Sequence, residues 1–207
     1  MPTLHLRVQQ PAELSRLHVL IRLFAFLAFS ALTGSHGWPG GFLYLAIPVL
    51  TALLVSEHGT DGFLQRDSRP YIRVLTWLLQ LYAYLGLLTD HLPGTAAAND
   101  VRIDLEPAGR PTAASALLRL LTSLPALIAL SLLGILSAFV WFLAAVFVLA
   151  TTHYPAWLFD FQAAVLRYHG RFLAWHASLI ETYPASLSET PEAPIGPTSQ
   201  PSGHASP

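Results

Sequence analysis

Between Leu117 and Thr152 the chain is almost continuously apolar, and Arg119, near the start, is its one charged residue. A bilayer core is crossed by about 20 apolar residues. The run is too long for one upright crossing. It predicts a tight hairpin of two membrane helices turning near Ser131–Ser137, around Gly134; the other solution is one overlong, tilted helix. Composition agrees with lipid as the solvent. The chain is 53% hydrophobic and 11% charged, against about 25% charged in an ordinary soluble domain, and its mean hydropathy is +0.49.

The rest of the chain alternates between apolar segments and polar connections. Residues 3–9 alternate, which puts Leu4, Leu6 and Val8 on one face of a short strand. Ser15 fits an N-cap. Leu17–Leu32 is an apolar segment interrupted by His18 and Arg22, and Arg22 lies where a long side chain reaches the interface. Gly34–Gly41 reads as a turn carrying Trp38, which suits a membrane interface. Phe42–Ser56 is a second apolar segment that Pro48 kinks. Glu57–Pro70 reads as a polar loop, Tyr71–His91 as a third helix, and Thr95–Asn99 as a linker. Val101–Leu105 alternates again. From Ala185 onward the composition is that of a disordered Pro/Ser/Thr-rich tail.

The two halves match each other. In one register Leu4–Gln9 lies over Val101–Glu106, and Arg22 over Arg119. In a second, Val74–Pro93 lies over Val165–Pro184, pairing Trp77 with Tyr168, Tyr84 with Trp175, and Asp90 with Glu181. Each unit reads strand, helical hairpin, loop, third helix, proline stop. The first contains two apolar segments, which favours the hairpin in the second. Neither expected hairpin turn holds a charge. The positive-inside rule then places both termini and every charged residue in the cytoplasm. Units related by an axis along the membrane normal would let Leu4–Val8 and Val101–Leu105 pair antiparallel.

The closing helix, Tyr154–Pro184, carries most of the polar chemistry. On a helical wheel Phe161, Val165, Phe172 and Leu179 share one side. Arg167, Arg171, Ser178 and Glu181 lie opposite, with Gly170 and Ala174. Such separation predicts a helix lying in the interface plane. Arg167 and Arg171 are one turn apart and suit lipid phosphate, with Arg22 and Arg119 as further candidates for lipid or partner contact. Asp160 suits the helix start. His169 and His176 stand about 10 Å apart along the axis, too far for one metal, so no metal or other cofactor is expected. Glu57, His58 and Asp61 form only a weak metal pattern. The net charge of −1 gives no field for nucleic acid. The chain has no Cys, no Lys and no recognisable catalytic motif.

At these residues the chain resembles a bacterial membrane family known only as domain of unknown function number 4389. Arg119 and Pro125 fit its opening. Tyr154, Pro155, Leu158, Phe159, Asp160 and Phe161 fit its middle, with Leu166, Arg167 and Tyr168, and Tyr183-Pro184 fits its end. In the first half Tyr84, Leu87, Leu88, Thr89, Asp90 and Pro93 match the closing element. That half lacks the Tyr-Pro before its loop, and Leu92 replaces the final Tyr. The resemblance implies an integral membrane protein and no particular activity.

The expected fold is thus an all-α membrane protein of two tandem repeats, residues 1–94 and 95–184, each a short strand, a transmembrane hairpin and an amphipathic interfacial helix, with residues 185–207 as the tail. The expected place is the bacterial cytoplasmic (inner) membrane, multi-pass, with both termini cytoplasmic. The expected function is non-enzymatic engagement of anionic lipid, a protein partner or a second copy. A transporter or lipid-translocating protein is the rival, and an embedded hydrolase using His153, Asp160 and His169 stands behind it. Tyr154, Pro155, Asp160, Tyr183 and Pro184 are expected to be structural.

Overall fold

The structure, a computed structural model, describes residues 4–33, 38–94, 101–105, 107, 109–185 and 187. The element order is β1 (Leu4–Val8), α1 (Arg16–Thr33), α2 (Trp38–Gly62), a π-helical turn (Phe63–Asp67), α3 (Ser68–Leu85), β2 (Val101–Leu105), α4 (Ala113–Thr122), α5 (Leu124–Thr151) and α6 (Ala156–His176). The expected linker 95–99 lies outside the described residues, as do residues 34–37 of the expected turn and nearly all of the tail.

The strands pair antiparallel, with Leu4 opposite Leu105, Leu6 opposite Ile103 and Val8 opposite Val101. Alternation sets which face is buried. Leu4, Leu6 and Val101 are buried, while His5, Arg7, Arg102 and Asp104 are exposed. The buried face meets α6, where Leu4 and Leu6 approach Gly170. Leu79 of α3 meets the same glycine, so α3, α6 and the sheet converge there. A Cβ at Gly170 would lie 2.9 Å from Leu4 Cδ2 and 3.2 Å from Leu79 Cδ1, which explains a glycine in mid-helix despite its cost of about 1 kcal/mol.

Three expectations change. First, the hairpin turn at Ser131–Ser137 is absent: those residues lie inside α5, a continuous helix of 28 residues. One glycine costs a helix only about 1 kcal/mol and does not by itself break it, and Ser131 Oγ bonds back to the Leu127 carbonyl at 2.8 Å. The break falls instead at Ser123, just before Pro125, whose missing N–H and ring disfavour continuing the preceding helix. Second, the expected polar loop 57–70 is mainly helical: α2 runs to Gly62, interrupted at Gly59 (φ 71°), and the π turn leads into α3. Phe63, fully buried, anchors this corner.

Third, α6 is not a helix with a solvated arginine face. Gly170, Ala174 and Ser178, expected among the polar positions, are buried. On its other side Val165, Tyr168 and Phe172 pack on Ala126, Leu130 and Leu133 of α5. Small residues on the supposed outer face admit a neighbouring element closely; they do not mark solvent.

Among the described residues, one helix, α5, is long and apolar enough to cross a membrane. At about 1.5 Å per residue it is about 42 Å long, enough for the roughly 30 Å hydrocarbon core with tilt. Only 17% of its most apolar stretch is buried. Ile128, Leu132, Ile135, Phe139 and Phe142 point outward. Apolar side chains on α1, α2 and α4 do likewise, including Phe24, Leu53 and Leu121.

Candidate functional site

Two arginines sit at two matching helix ends. α3 closes with Leu88 N–H bonded to the Ala83 carbonyl at 2.9 Å and Leu87 left-handed at φ 64°. α6 closes with Leu179 N–H bonded to the Ala174 carbonyl at 2.9 Å and Ser178 at φ 60°. Both are helix stops of the kind that usually recruits glycine, here held by non-glycine residues. Carbonyls beyond such a stop need donors. Arg22 Nη2 donates to the Thr89 carbonyl at 2.6 Å and to Asp90 Oδ1 at 2.8 Å. Arg119 Nη1 donates to the Ile180 carbonyl at 3.0 Å and to the Trp175 carbonyl. Each guanidinium also lies over an aromatic ring, Arg22 at 4.1 Å from Tyr84 and Arg119 at 5.0 Å from Trp175, a cation–π contact.

The two differ in what is left over. Arg22 is 1% exposed, and its Nε and Nη1 have no hydrogen-bond partner among the described residues. None of the three Arg119 nitrogens is buried without a partner. Asp90, the carboxylate facing Arg22, also accepts from the Ser15 backbone N–H at 2.6 Å, so the expected N-cap residue acts through its backbone. Glu181, at the matching position in the second half, accepts from Arg110 N–H at 2.9 Å.

Beside Arg22 lies a cleft of about 540 Å³ between α1, α3, α5 and α6. Its walls are mainly apolar, including Leu23, Leu85, Phe142 and Val165. The polar lining beside Arg22 comes from Tyr82, Ser137, Gln162 and His169. Ser137 and Gln162 hold each other: Ser137 Oγ donates to Gln162 Oε1 at 2.5 Å, and Gln162 Nε2 donates to the Ser137 carbonyl at 3.0 Å. A second cleft, about 460 Å³, lies between α2, α3 and the end of α6, and of its lining only Asp67 and Tyr71 have polar side chains.

The other expected residues scatter. Arg167 and Arg171 are half-buried and flank Gly170, placing them beside the sheet. Asp160 and His153 are exposed. His169 is half-buried against Tyr82, with ring centroids 5.5 Å apart. Asp160 and His169 are nine residues apart on one helix, about 13 Å along its axis, so the His153–Asp160–His169 set does not converge. Burial lowers the His169 pKa, partly offset by its bond to the Val165 carbonyl. His176 is fully buried, stacks on Tyr44 at 4.9 Å and bonds the Tyr44 carbonyl through Nε2 at 2.8 Å. Burial lowers its pKa as well. Tyr154 is buried, which raises its pKa, and its ring meets Phe159 edge-on. Pro155 sits at the N-cap of α6, Tyr183 meets Trp175 edge-on, and Pro184 is buried. His58 pairs with Asp67 at 2.8 Å, and no group of metal-ligating side chains occurs among the described residues.

Sequence reasoning passed over Arg7 and Arg102. The register puts them directly opposite each other on the exposed face. Alternation in both strands was the available signal, since it fixes which side each arginine occupies.

No curated protein and no solved structure matches the chain. The family comparison covers α4, α5 and α6 with Arg119 and the Tyr183-Pro184 stop, and leaves β2 outside. Residues 113–188 match the family model described as Domain of unknown function (DUF4389).

Proposed function

We propose that the protein is an integral membrane protein, duplicated in tandem, that engages anionic lipid and is not an enzyme. The observation that carries membrane insertion is α5, long enough to span and with its apolar side chains turned outward. Duplication is supported by the paired helix stops, by the two arginines that bond them, and by a sheet register centred on Leu6 and Ile103. Strand pairing also brings the starts of both units to one side. The positive-inside rule then assigns the sheet, Arg7, Arg102, Arg167 and Arg171 to the cytoplasmic side. The uncharged turn expected at 131–137 no longer contributes to that assignment. Like charges placed opposite each other repel, and an anionic headgroup relieves the repulsion at Arg7 and Arg102.

Carbonate extraction and flotation test this reading. The full chain should stay with membranes and retain more phosphatidylglycerol than phosphatidylcholine. Arg167→Ala/Arg171→Ala combined with Arg7→Ala/Arg102→Ala should abolish that preference; an unchanged preference defeats the headgroup role. The rival, lipid translocation, draws on the cleft between the two halves. A transport site lined by both Arg22 and Arg119 is not what that cleft offers, because Arg119 does not line it.

A further inference from the structure

We infer that the cleft between α1, α3, α5 and α6 holds one lipid molecule, its acyl chain against the apolar walls and its anionic head oxygens accepting from Arg22 Nε and Nη1. The inference deepens the lipid reading above and rests on its membrane placement. It assigns a second, intramembrane location, separate from the arginines beside the sheet.

The argument begins with the stranded donors. A guanidinium has five N–H groups. Arg22 uses Nη2 on the Thr89 carbonyl and Asp90 and lies over the Tyr84 ring, while Nε and Nη1, with three N–H between them, are buried with no hydrogen bond among the described residues. Buried donors are nearly always paired, because leaving one unmade forfeits its hydration. Asp90 accepts from Nη2 and from the Ser15 N–H and makes no bond to Nε or Nη1. The residue lines a cleft whose size falls within the roughly 300–1,000 Å³ of small-ligand sites. The cleft joins the outward apolar surface of α5 through Phe142, 67% exposed. An occupant from the bilayer therefore need not cross water.

The second cleft is an internal control. In the register that matches the third helices, Tyr71, Val74, Leu75 and Leu78 stand where the first cleft has Gln162, Val165, Leu166 and His169. Leu173, Ala177 and Leu179 stand for Tyr82, Gly86 and Leu88. The two clefts are the same place in the two halves. The second has no arginine, and leucines replace His169 and Tyr82. Its one side-chain donor is the neutral Tyr71 hydroxyl, so it offers walls for a chain and no cationic donor for a head.

The test uses the full chain in nanodiscs of phosphatidylcholine doped with a diazirine-chain phosphatidylglycerol. Photolabelling should be saturable and fall on peptides containing residues 134–142 and 162–169. Unlabelled phosphatidylglycerol should displace it about tenfold better than phosphatidylcholine, whose choline cation offsets the phosphate charge beside the guanidinium. Ala138→Trp, which fills the first cleft, should remove labelling there, and Ala46→Trp in the second cleft should leave it unchanged. Arg22→Gln should erase the headgroup preference; Ala138→Trp leaves both helix stops intact and serves if Arg22→Gln does not fold. Non-saturable labelling, labelling that survives Ala138→Trp, or equal displacement by both lipids overturns the inference, with the lipid reading intact if flotation still favours phosphatidylglycerol. Release of the wild-type chain by carbonate overturns both.

Discussion

Arg22 and Arg119 occupy matching positions but do different amounts of bonding. Arg119 serves its helix end and has no stranded nitrogen. Arg22 serves its own with one nitrogen, meets a carboxylate, and has two nitrogens over. The same asymmetry runs through the helices around them. α1 continues unbroken through the position that matches Ser123, whereas the second half breaks there and then runs straight through α5. The lesson is that one sequence pattern can fix where a helix stops without fixing how its neighbours are spaced. That spacing decides whether a buried cation is merely structural or has donors to offer.

The comparison can be broken most severely at the arginines. Arg22→Met should cost about 3–5 kcal/mol, because it strands Asp90 as well as a carbonyl. Arg119→Met should cost about 2–3 kcal/mol, the worth of charged bonds to carbonyls. Urea unfolding in mild detergent measures both; equal losses would mean that Asp90 adds nothing. At the shared crossing, Gly170→Ala should destabilise by about 1–3 kcal/mol through overpacking. The reverse test, Leu79→Ala, opens space at the same contact, and pairing it with Gly170→Ala should restore part of the loss. A gain from Gly170→Ala alone would show that the sheet can move away.

Capping sharpens the comparison at smaller scale. Thr112 caps α4 in a reciprocal pair with Ser115, at 3.1 and 2.9 Å. Thr112→Ala should cost about 1 kcal/mol, while Ser15→Ala should change stability by only a few tenths, since its backbone makes the recorded bond. Melting of the two variants side by side decides the point.

Acid separates the halves most gently. His169, half-buried, and His176, fully buried, both have lowered pKa values, and Leu78 and Leu85 occupy their places in the first half. The unfolded chain takes up protons at these histidines before the folded one does. Their contribution is therefore full above about pH 6.5 and falls as pH drops below it, by at most about 1.4 kcal/mol per pH unit per group. His169→Leu/His176→Leu should flatten stability between pH 7 and 5; an unchanged slope would place the acid response elsewhere.

Some of this was legible in the residues and some was not. Period-two alternation in LHLRV and VRIDL was enough to place both strands, and the match between the halves pointed to their antiparallel pairing. The 3.6-residue pattern of α6 misled, because Gly170 and Ala174 count as neutral on a wheel, yet Gly170 receives Leu4, Leu6 and Leu79 and Ala174 is fully buried. Only the packing partner tells a small residue in contact from one in water. Gly134 and its flanking serines looked like a turn, but each serine has a bond that keeps it helical or ties it to α6. The stretch 57–70 looked like a loop because it is rich in charged and polar residues, although Phe63 is fully buried in its midst. Arg22 was visible as an oddity in an apolar segment. Its stranded nitrogens were not, since they depend on which carbonyls the Leu87 turn brings within reach.

The two-stranded sheet takes one strand from each end of a long connection. Cutting the chain within residues 95–100 would thus hand each fragment a single ribbon with an open edge. Lone edges seek partners, so the fragments should recombine with each other, or stack with their own kind, before either behaves as an autonomous monomer. The polypeptide is divisible in sequence but not in folding.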